Sequence, residues 1–201
     1  MKPVYIAAAC LLIIVIYILF PSSYEIKNKN PQNDVIVCFG DSLTYGTGTK
    51  KGMDYPSQLS RMIKREIINM GVPGNTTVDA LARLDDVIEK SPGYVLITLG
   101  GNDLKNRMSK EQAFTNLESI IIRLQVNGSL VVIGGIDVPV WGRGFGKGYE
   151  ELAKETGSVL VPNVYKGIIG KRDLMSDAIH PNSKGYSIMA NHFYEVLEPY
   201  L

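Results

Sequence analysis

The sequence has few of the residues that build disulfide frameworks and metal centres. Its 201 residues include only two cysteines, Cys10 and Cys38, and two histidines, His180 and His192. Both cysteines lie in apolar segments and no CxxC pair is present, so neither a disulfide scaffold nor a zinc site is indicated. A metal site built from several histidines is therefore not expected, and we predict that the protein uses no metal and no cofactor. Any histidine-dependent chemistry has two candidate residues.

The sequence also lacks an excess of charge of either sign. It contains 21 lysine and arginine residues against 20 aspartate and glutamate residues, which leaves a formal net charge of +1. This balance provides no electrostatic basis for binding nucleic acid. The chain is long enough for one domain with a sizeable core, and we expect that domain to be monomeric.

One long uncharged run stands apart at the N-terminus. Residues 4–20 (VYIAAACLLIIVIYILF) form 17 apolar positions, within the range of about 17–25 residues for a membrane-spanning helix. A cleaved signal peptide usually has a shorter apolar core and a small-x-small cleavage site, which the following FPSSYEIKNKN lacks. We predict an uncleaved signal anchor over residues 1–21 and a polar linker over residues 22–33. A cleaved signal is the alternative, and AAAC ending at Cys10 only faintly resembles a lipoprotein box because it precedes most of the run.

The lysines around this run do not settle its orientation. Lys2 precedes it, while Lys27 and Lys29 follow it. A first apolar segment that leads into one globular domain more often exports that domain. We therefore predict a single-pass protein of the cytoplasmic membrane, anchored through residues 4–20, with its domain outside the cytoplasm. The alternative is a secreted or periplasmic protein after signal cleavage.

From residue 34 onward, short apolar runs alternate with segments of helical periodicity. Continuous β-branched runs predict strands at residues 35–39, 67–70, 94–100, 129–135 and 158–162. Apolar residues at helical spacing predict helices at residues 55–66, 76–90, 109–126, 149–156 and 183–197. The glycine-rich residues 142–148 read as a flexible loop. This alternation predicts an α/β domain over residues 34–201, with right-handed crossovers and a parallel sheet covered on both faces.

Glycines and polar residues follow the predicted strands. The first strand runs into Gly40-Asp41-Ser42, and later strands run into NMGVPGN, GGND and GGIDVPVW. In open parallel sheets, ligands bind outside the carboxyl ends of the strands. We expect these segments to converge on one edge of the sheet.

Ser42 is a candidate nucleophile. A serine hydroxyl needs a nearby base, and His180 is a candidate, with Asp177 three residues before it. On a helical turn this spacing would let the carboxylate orient the imidazole and stabilise its protonated form. A lone Gly-Asp-Ser is usually only a turn, and a lone Asp-x-x-His is usually a surface pair. The hypothesis therefore depends on their joint occurrence.

Acyl transfer also needs donors at the point where a carbonyl oxygen becomes an anion. The Ser42 N–H, the Gly74 N–H and the Asn102 side-chain amide are candidates. Taken alone, GGND would be an ordinary loop or a helix cap. We interpret Asp41 and Asp103 as structural residues that hold their loops.

Four segments resemble the sequence blocks of one enzyme family. FGDSLTYG, NMGVPGNTT, TLGGNDL and DAIHPNSKGY are similar, in order and spacing, to the blocks of the SGNH hydrolases, also called GDSL esterases/lipases. The resemblance covers residues 34–201 and is strongest to the small bacterial thioesterase/lysophospholipase branch. It implies a flavodoxin-like, three-layer α/β/α fold and a metal-free serine mechanism. It also implies a triad of Ser42, Asp177 and His180, and an oxyanion hole of Ser42, Gly74 and Asn102.

Residues 137–148 are predicted to line the acyl or leaving-group side of this site. Their apolar members are Val138, Val140, Trp141 and Phe145. The alternative is an exposed loop with Trp141 in the core. We expect hydrolysis of carboxylic acyl esters, extending to acyl thioesters and lysophospholipids. The alternatives are a deacetylase of an envelope polysaccharide and a membrane-tethered binding module without turnover.

Overall fold

A parallel five-stranded sheet forms the centre of the protein. The computed structural model describes residues 24–138 and 144–201. The strands are β1 (Ile36–Gly40), β2 (Ile67–Gly71), β3 (Tyr94–Thr98), β4 (Leu130–Gly134) and β5 (Val159–Val161). Their order in the sheet is β2-β1-β3-β4-β5, and all neighbours pair in parallel. Every residue of β1, β3 and β4 is buried, as expected of parallel strands covered on both faces.

Eight α-helices cover this sheet within the described ranges. They are α1 (Ser42–Tyr45), α2 (Tyr55–Ile63), α3 (Thr77–Ala82), α4 (Leu84–Ile88), α5 (Gly101–Lys105), α6 (Lys110–Val126), α7 (Phe145–Thr156) and α8 (Ser183–Leu197), followed by a 3₁₀ turn (Glu198–Tyr200). Helix α2 packs against α8, and α6 packs against α3 and α7. The chain moves from β1 to β2 and then back past β1 to β3. Because crossovers between parallel strands share one hand, this reversal is expected to place the two groups of helices on opposite faces of the sheet. The α/β architecture predicted from the sequence is confirmed.

The predicted helix over residues 76–90 is wrong in one respect, because two helices occupy that stretch. Helix α3 begins with a capping box between Thr76 and Asp79, as the sequence pattern suggests. The chain then leaves helical geometry at Arg83, whose φ and ψ are −111° and 17°. The apolar spacing continues on both sides of Arg83, so periodicity alone does not reveal the break.

The glycine-rich segment is also more ordered than predicted. Helix α7 begins at Phe145, so the second half of residues 142–148 forms its first turn. A Cβ atom at Gly148 would lie 2.5 Å from Cζ of Phe114 on α6. Gly148 therefore permits α6 and α7 to approach closely. The prediction of a flexible loop treated this glycine as a source of mobility and not as a packing residue.

The described part of the predicted linker lies against the domain. The Tyr24 hydroxyl donates to the Ser158 carbonyl at 2.8 Å, and the Asn28 amide donates to the carbonyls of Gln125 and Ser129 at 2.8 and 3.0 Å. Tyr24 and Ile26 pack on the hydrophobic core. The predicted domain boundary at residue 34 stays a prediction, but the contact surface of the domain includes residues upstream of it.

The predicted signal anchor, residues 1–21, lies outside the described residues. Within the two described ranges, no helix is both long enough and apolar enough to cross a membrane.

Candidate active site

The turn after β1 presents Ser42 at the carboxyl edge of the sheet. Asp41 caps α1 by accepting the Leu43 N–H at 2.9 Å, and Ser42 is the first residue of that helix. A Cβ atom at Gly40 would lie 2.2 Å from the Thr44 hydroxyl oxygen and 2.5 Å from the Thr98 carbonyl oxygen. Only glycine fits this close approach, so the Gly-Asp-Ser sequence is both a tight turn and a support for a half-buried serine.

The structure brings His180 and Asp177 to this serine. The Nε2 atom of His180 lies 3.0 Å from Oγ of Ser42, and its Nδ1 atom lies 2.7 Å from Oδ2 of Asp177. The histidine side chain is 15% exposed and the aspartate side chain is 52% exposed. The three side chains thus form one continuous line of hydrogen bonds, in which the imidazole can take the serine proton.

The predicted helical turn around Asp177 and His180 is wrong, because residues 176–179 form a series of bends. These bends lie between Met175 and Pro181, which pair in an antiparallel bridge. The loop is held by Oδ1 of Asp177, which accepts the N–H groups of Ile179 and His180 at 2.8 Å each. The carboxylate therefore shapes the backbone that carries its partner histidine, and the three-residue spacing works without a helix.

Hydrogen bonding keeps Asp177 ionised. Burial by itself raises the pKa of this carboxyl group, but the hydrogen bonds from the His180 ring and from the two backbone N–H groups lower the pKa to about 2. Asp177 is therefore negatively charged at neutral pH and is able to stabilise a protonated imidazole.

The three candidate oxyanion donors come from three different strand ends. The Ser42 N–H belongs to the first turn of α1 and has no acceptor within that helix. Gly74 is exposed in the turn after β2 with a φ of +85°, a conformation that favours glycine. Asn102 is in the first turn of α5, and its amide donates to the Asn75 carbonyl at 2.9 Å. Asn102 is thus joined directly to the turn that carries Gly74.

Asp41 and Asp103 are buried near these donors. Burial raises the pKa of Asp41, the hydrogen bond from the Leu43 N–H lowers it, and the charge of Asp103 raises it, which together bring the pKa to about 7. Asp103 accepts the N–H and the hydroxyl of Thr77 at the start of α3. Each of the two carboxyl groups accepts a backbone N–H and so fixes its loop, which is the role expected of it from the sequence.

A small cavity of about 60 Å³ opens beside Ser42. Its wall is mostly apolar, and Lys105 contributes the one ammonium group of the described lining. The lining residues are Ser42, Leu43, Gly101, Asn102, Leu104, Lys105, Ile136, Val138, Tyr165, Ile179 and His180. Sequence reasoning missed most of the apolar ones. Leu104 and Ile136 could have been predicted from the sequence, because both closely follow strands that end at this edge of the sheet.

The four predicted substrate-side residues have different positions. Val138 lines the cavity. Phe145 does not line it, because its ring is buried in the core, 5.4 Å from Phe114 and 6.4 Å from Tyr149 between ring centroids. Val140 and Trp141 lie outside the described residues.

Histidine, cysteine and acidic side chains are the common ligands of metal ions in proteins. No group of three or more histidine, cysteine, aspartate or glutamate side chains in residues 24–138 and 144–201 is arranged to hold a metal ion. His192 lies in the middle of α8, as expected from the sequence, and its buried Nδ1 atom has no hydrogen-bond partner among the described residues.

A serine at the carboxyl edge of a parallel sheet, hydrogen-bonded to a histidine, is an arrangement typical of serine-type hydrolases. The sequence model of the GDSL-like lipase/acylhydrolase family matches residues 38–188, and the chain belongs to this family. The resemblance inferred from the four sequence blocks is confirmed.

Individual proteins of the family are similar over most of their length. Esterase TesA of Pseudomonas aeruginosa is 27% identical over 178 residues, which cover 83% of this chain and 89% of the esterase. The Escherichia coli K12 protein named thioesterase 1/protease 1/lysophospholipase L1 is 27% identical over 175 residues, which cover 83% of this chain and 84% of that protein. A crystal structure of TesA has a TM-score of 0.79 at 26% identity and covers 84% of this chain and 100% of that one.

Proposed function

We propose that this protein hydrolyses carboxylic acyl esters through Ser42, His180 and Asp177. The observation that supports the proposal most is the unbroken hydrogen-bond line from Asp177 Oδ2 through both ring nitrogens of His180 to Ser42 Oγ. Each contact has a length at which a proton can be held or transferred.

The proposed reaction begins when Nε2 of His180 removes the Ser42 proton while Oγ attacks the ester carbonyl carbon. The carbonyl oxygen becomes an anion, which would accept hydrogen bonds from the N–H groups of Ser42 and Gly74 and from the Asn102 amide. The intermediate then expels the alcohol, which takes its proton from His180. Water, activated by the same imidazole, attacks the acyl-serine, releases the carboxylic acid and restores the serine.

The lining of the cavity supports an acyl substrate. The apolar side chains of Leu43, Ile136 and Val138 would contact the carbons next to the scissile carbonyl. The names of the two relatives, an esterase and a thioesterase/lysophospholipase, support acyl thioesters and lysophospholipids as further substrates.

A deacetylase of an envelope polysaccharide is the second candidate. The small cavity of about 60 Å³ beside Ser42 favours it, because a space of that size suits a short acyl group better than a long one. A binding module without turnover is disfavoured, because a site that no longer turns over would not need all five proposed residues.

We further propose that residues 4–20 anchor the protein in the cytoplasmic membrane with the domain outside. The support is the uncharged 17-residue run and the absence of a small-x-small cleavage site after it. An anchored protein stays in the membrane pellet after alkaline washing and has the intact mass of the full chain. A soluble form that begins after about residue 21 would instead establish the secreted or periplasmic alternative.

The activity is tested with the full-length protein in detergent and p-nitrophenyl esters from acetyl to palmitoyl. We expect hydrolysis that Ser42→Ala and His180→Ala each abolish, while His192→Ala, which removes the second histidine of the chain, retains it. Hydrolysis confined to the acetyl ester would favour the deacetylase. A folded protein without hydrolysis of any ester, or an active Ser42→Ala variant, would overturn the proposal.

A further inference from the structure

The side chain of Arg83 is held at the break between α3 and α4. Its guanidinium group donates to three acceptors, which are the Gly40 carbonyl at 2.8 Å, the Met70 carbonyl at 3.0 Å and the Asn75 side-chain oxygen at 2.6 Å. The group also lies 4.4 Å from the centroid of the Phe39 ring. Arginine suits this place because its planar fork presents several donors in fixed directions and stacks on an aromatic ring.

These acceptors belong to the segments that carry the proposed oxyanion donors. Gly40 is two residues before Ser42, and its carbonyl also accepts the Val72 N–H from the chain that leaves β2. Asn75 directly follows Gly74. The Asn75 carbonyl, in turn, accepts the Asn102 amide at 2.9 Å. One guanidinium group thus joins the turn after β1, the turn after β2 and, through Asn75, the first turn of α5.

Oxyanion stabilisation requires its donors to point at one position in space. Donors on three separate loops hold that geometry only if the loops are fixed relative to one another. Small displacements are costly, since a shift of about 1 Å can lower the rate by about 10²-fold.

Building on the proposed function, we propose that Arg83 is a positioning residue that fixes the N–H groups of Ser42 and Gly74 and the Asn102 amide relative to one another. It acts through backbone and through Asn75, without contacting the substrate. This role explains why a long cationic side chain reaches across two strand ends instead of extending into solvent.

The first test compares turnover by the full-length wild type with turnover by Arg83→Met and Arg83→Lys. Methionine keeps an apolar contact with Phe39 but removes all three hydrogen bonds. We expect kcat to fall by about 10²-fold per titrated active site with KM changed less than threefold. Arg83→Lys should recover little of the lost kcat, because one ammonium group does not reproduce the planar fork of donors of the guanidinium group.

The second test separates positioning from a merely structural role. An alkyl boronic acid bound to Ser42 places an oxygen where the oxyanion forms, whereas the fatty-acid product binds without that adduct. We expect Arg83→Met to weaken boronic-acid inhibition by about the factor lost in kcat/KM, and to leave product inhibition unchanged. An equal loss for both ligands, or wild-type kcat in Arg83→Met, would overturn the proposal.

Arg65→Met is the matched control. Arg65 also stacks on an aromatic ring, 5.2 Å from the Tyr94 centroid, and donates to the Asp34 carbonyl at 2.7 Å, at the opposite end of the sheet. We expect it to lower the unfolding midpoint without lowering kcat, and an equal loss of kcat in this control would reject a specific role for Arg83. Wild type and Ser42→Ala are measured in the same series. An inactive wild type or an active Ser42→Ala therefore identifies a failure of the proposed function, on which the role of Arg83 depends.

Discussion

At the residue scale, Asp177 and Asp41 each use their two carboxylate oxygens for different contacts in this site. Asp177 receives the His180 ring on one oxygen and two backbone N–H groups on the other. Asp41, which is buried, caps the helix that begins at Ser42 with one oxygen and accepts the Asn102 amide at 3.4 Å with the other. Their environments shift their pKa values in opposite directions, to about 2 and about 7.

Asp177→Asn is expected to lower kcat by about 10⁴-fold while leaving the protein folded. The amide oxygen of asparagine is able to keep the two backbone hydrogen bonds, so the loop retains its shape. Its NH₂ group, however, would face Nδ1 of His180 and favour the tautomer that places a proton on Nε2, where the base is needed. Steady-state kinetics and thermal unfolding measure the two effects. A loss of less than tenfold in kcat would contradict this role.

Asp41→Asn is expected to become more stable, relative to the wild type, as the pH rises from about 4 to about 7. The Asp41 pKa is raised, so in this window the unfolded wild type loses a proton that the native state retains, and wild-type stability falls. The full change in the free energy of unfolding, relative to the wild type, is on the order of 4 kcal/mol and levels off above pH 7. Asp177 does not interfere, because its lowered pKa affects stability only as the pH falls below about 4.

Urea unfolding of both proteins at pH 4, 5, 6, 7 and 8 measures this difference. Asparagine is able to accept the Leu43 N–H, so the helix cap is matched between the two proteins. A stability difference that does not vary with pH would show that the Asp41 carboxyl titrates normally.

At the scale of elements, close contacts explain where helices begin and what they rest on. Helix α7 starts at Phe145 because its first turn packs on α6, through the rings of Phe145, Tyr149 and Phe114. The segment at residues 24–33 lies on the domain because side chains such as Tyr24 and Asn28 bind backbone carbonyls of other elements. Neither contact can be predicted from the spacing of apolar residues in the local sequence.

Gly148→Ala is expected to destabilise the protein by about 1–3 kcal/mol, because the new methyl group would overlap the Phe114 ring. Chemical unfolding measures the loss. In the double variant with Phe114→Leu, the added methyl group should cost less than it does alone, since the smaller side chain vacates part of the space. Equal costs of the glycine substitution in both backgrounds would exclude this contact as the cause.

Asn28→Ala is expected to cost about 1–3 kcal/mol of stability. Its amide donates to two backbone carbonyls, and its φ of +52° is one that asparagine adopts more readily than alanine. Asn33→Ala is the control, since Asn33 is exposed and its amide donates to one carbonyl among the described residues, that of Ser91 at 3.1 Å, so that its loss should change stability little. Similar costs in the two variants would contradict a specific role for Asn28.

At the scale of the whole molecule, the strand order places the site. Strands β1 and β3 are neighbours, but the chain leaves β1 toward one side of the sheet and β3 toward the other. A crevice opens at such a reversal, outside the carboxyl ends of the strands. Ser42 follows β1 and Asn102 follows β3, so both reach the same cavity. His180 comes from the loop before α8 and lines the same cavity, with its Nε2 atom 3.0 Å from Oγ of Ser42.

Much of this molecule could be predicted from its sequence, because the informative patterns are local. Continuous β-branched runs predict the strands, and their alternation with helical periodicity predicts a parallel α/β fold. The glycines beside Asp41, Ser42 and Asn102 predict turns at the strand ends. The spacing of Asp177 and His180 also singled out the pair that the structure brings to Ser42.

The sequence by itself determined the class of fold and indicated the edge of the sheet where the candidate site forms, since local patterns encode these features. It also singled out Ser42, Asp177 and His180 as candidates, which the structure brings into hydrogen-bond contact. Only the tertiary structure decided the break at Arg83, the bend that Asp177 makes for His180, the burial of Phe145 and the packing of residues 24–33. The break at Arg83, the burial of Phe145 and the packing of residues 24–33 depend on partners distant in the chain. These partners are the carbonyls of β1 and β2, the Phe114 ring, and the carbonyls of Gln125 and Ser158. The bend is held by local hydrogen bonds to Asp177, but only the fold brings it to Ser42. Periodicity describes how a segment faces its surroundings, but it does not specify which distant group will satisfy a given donor or fill a given space.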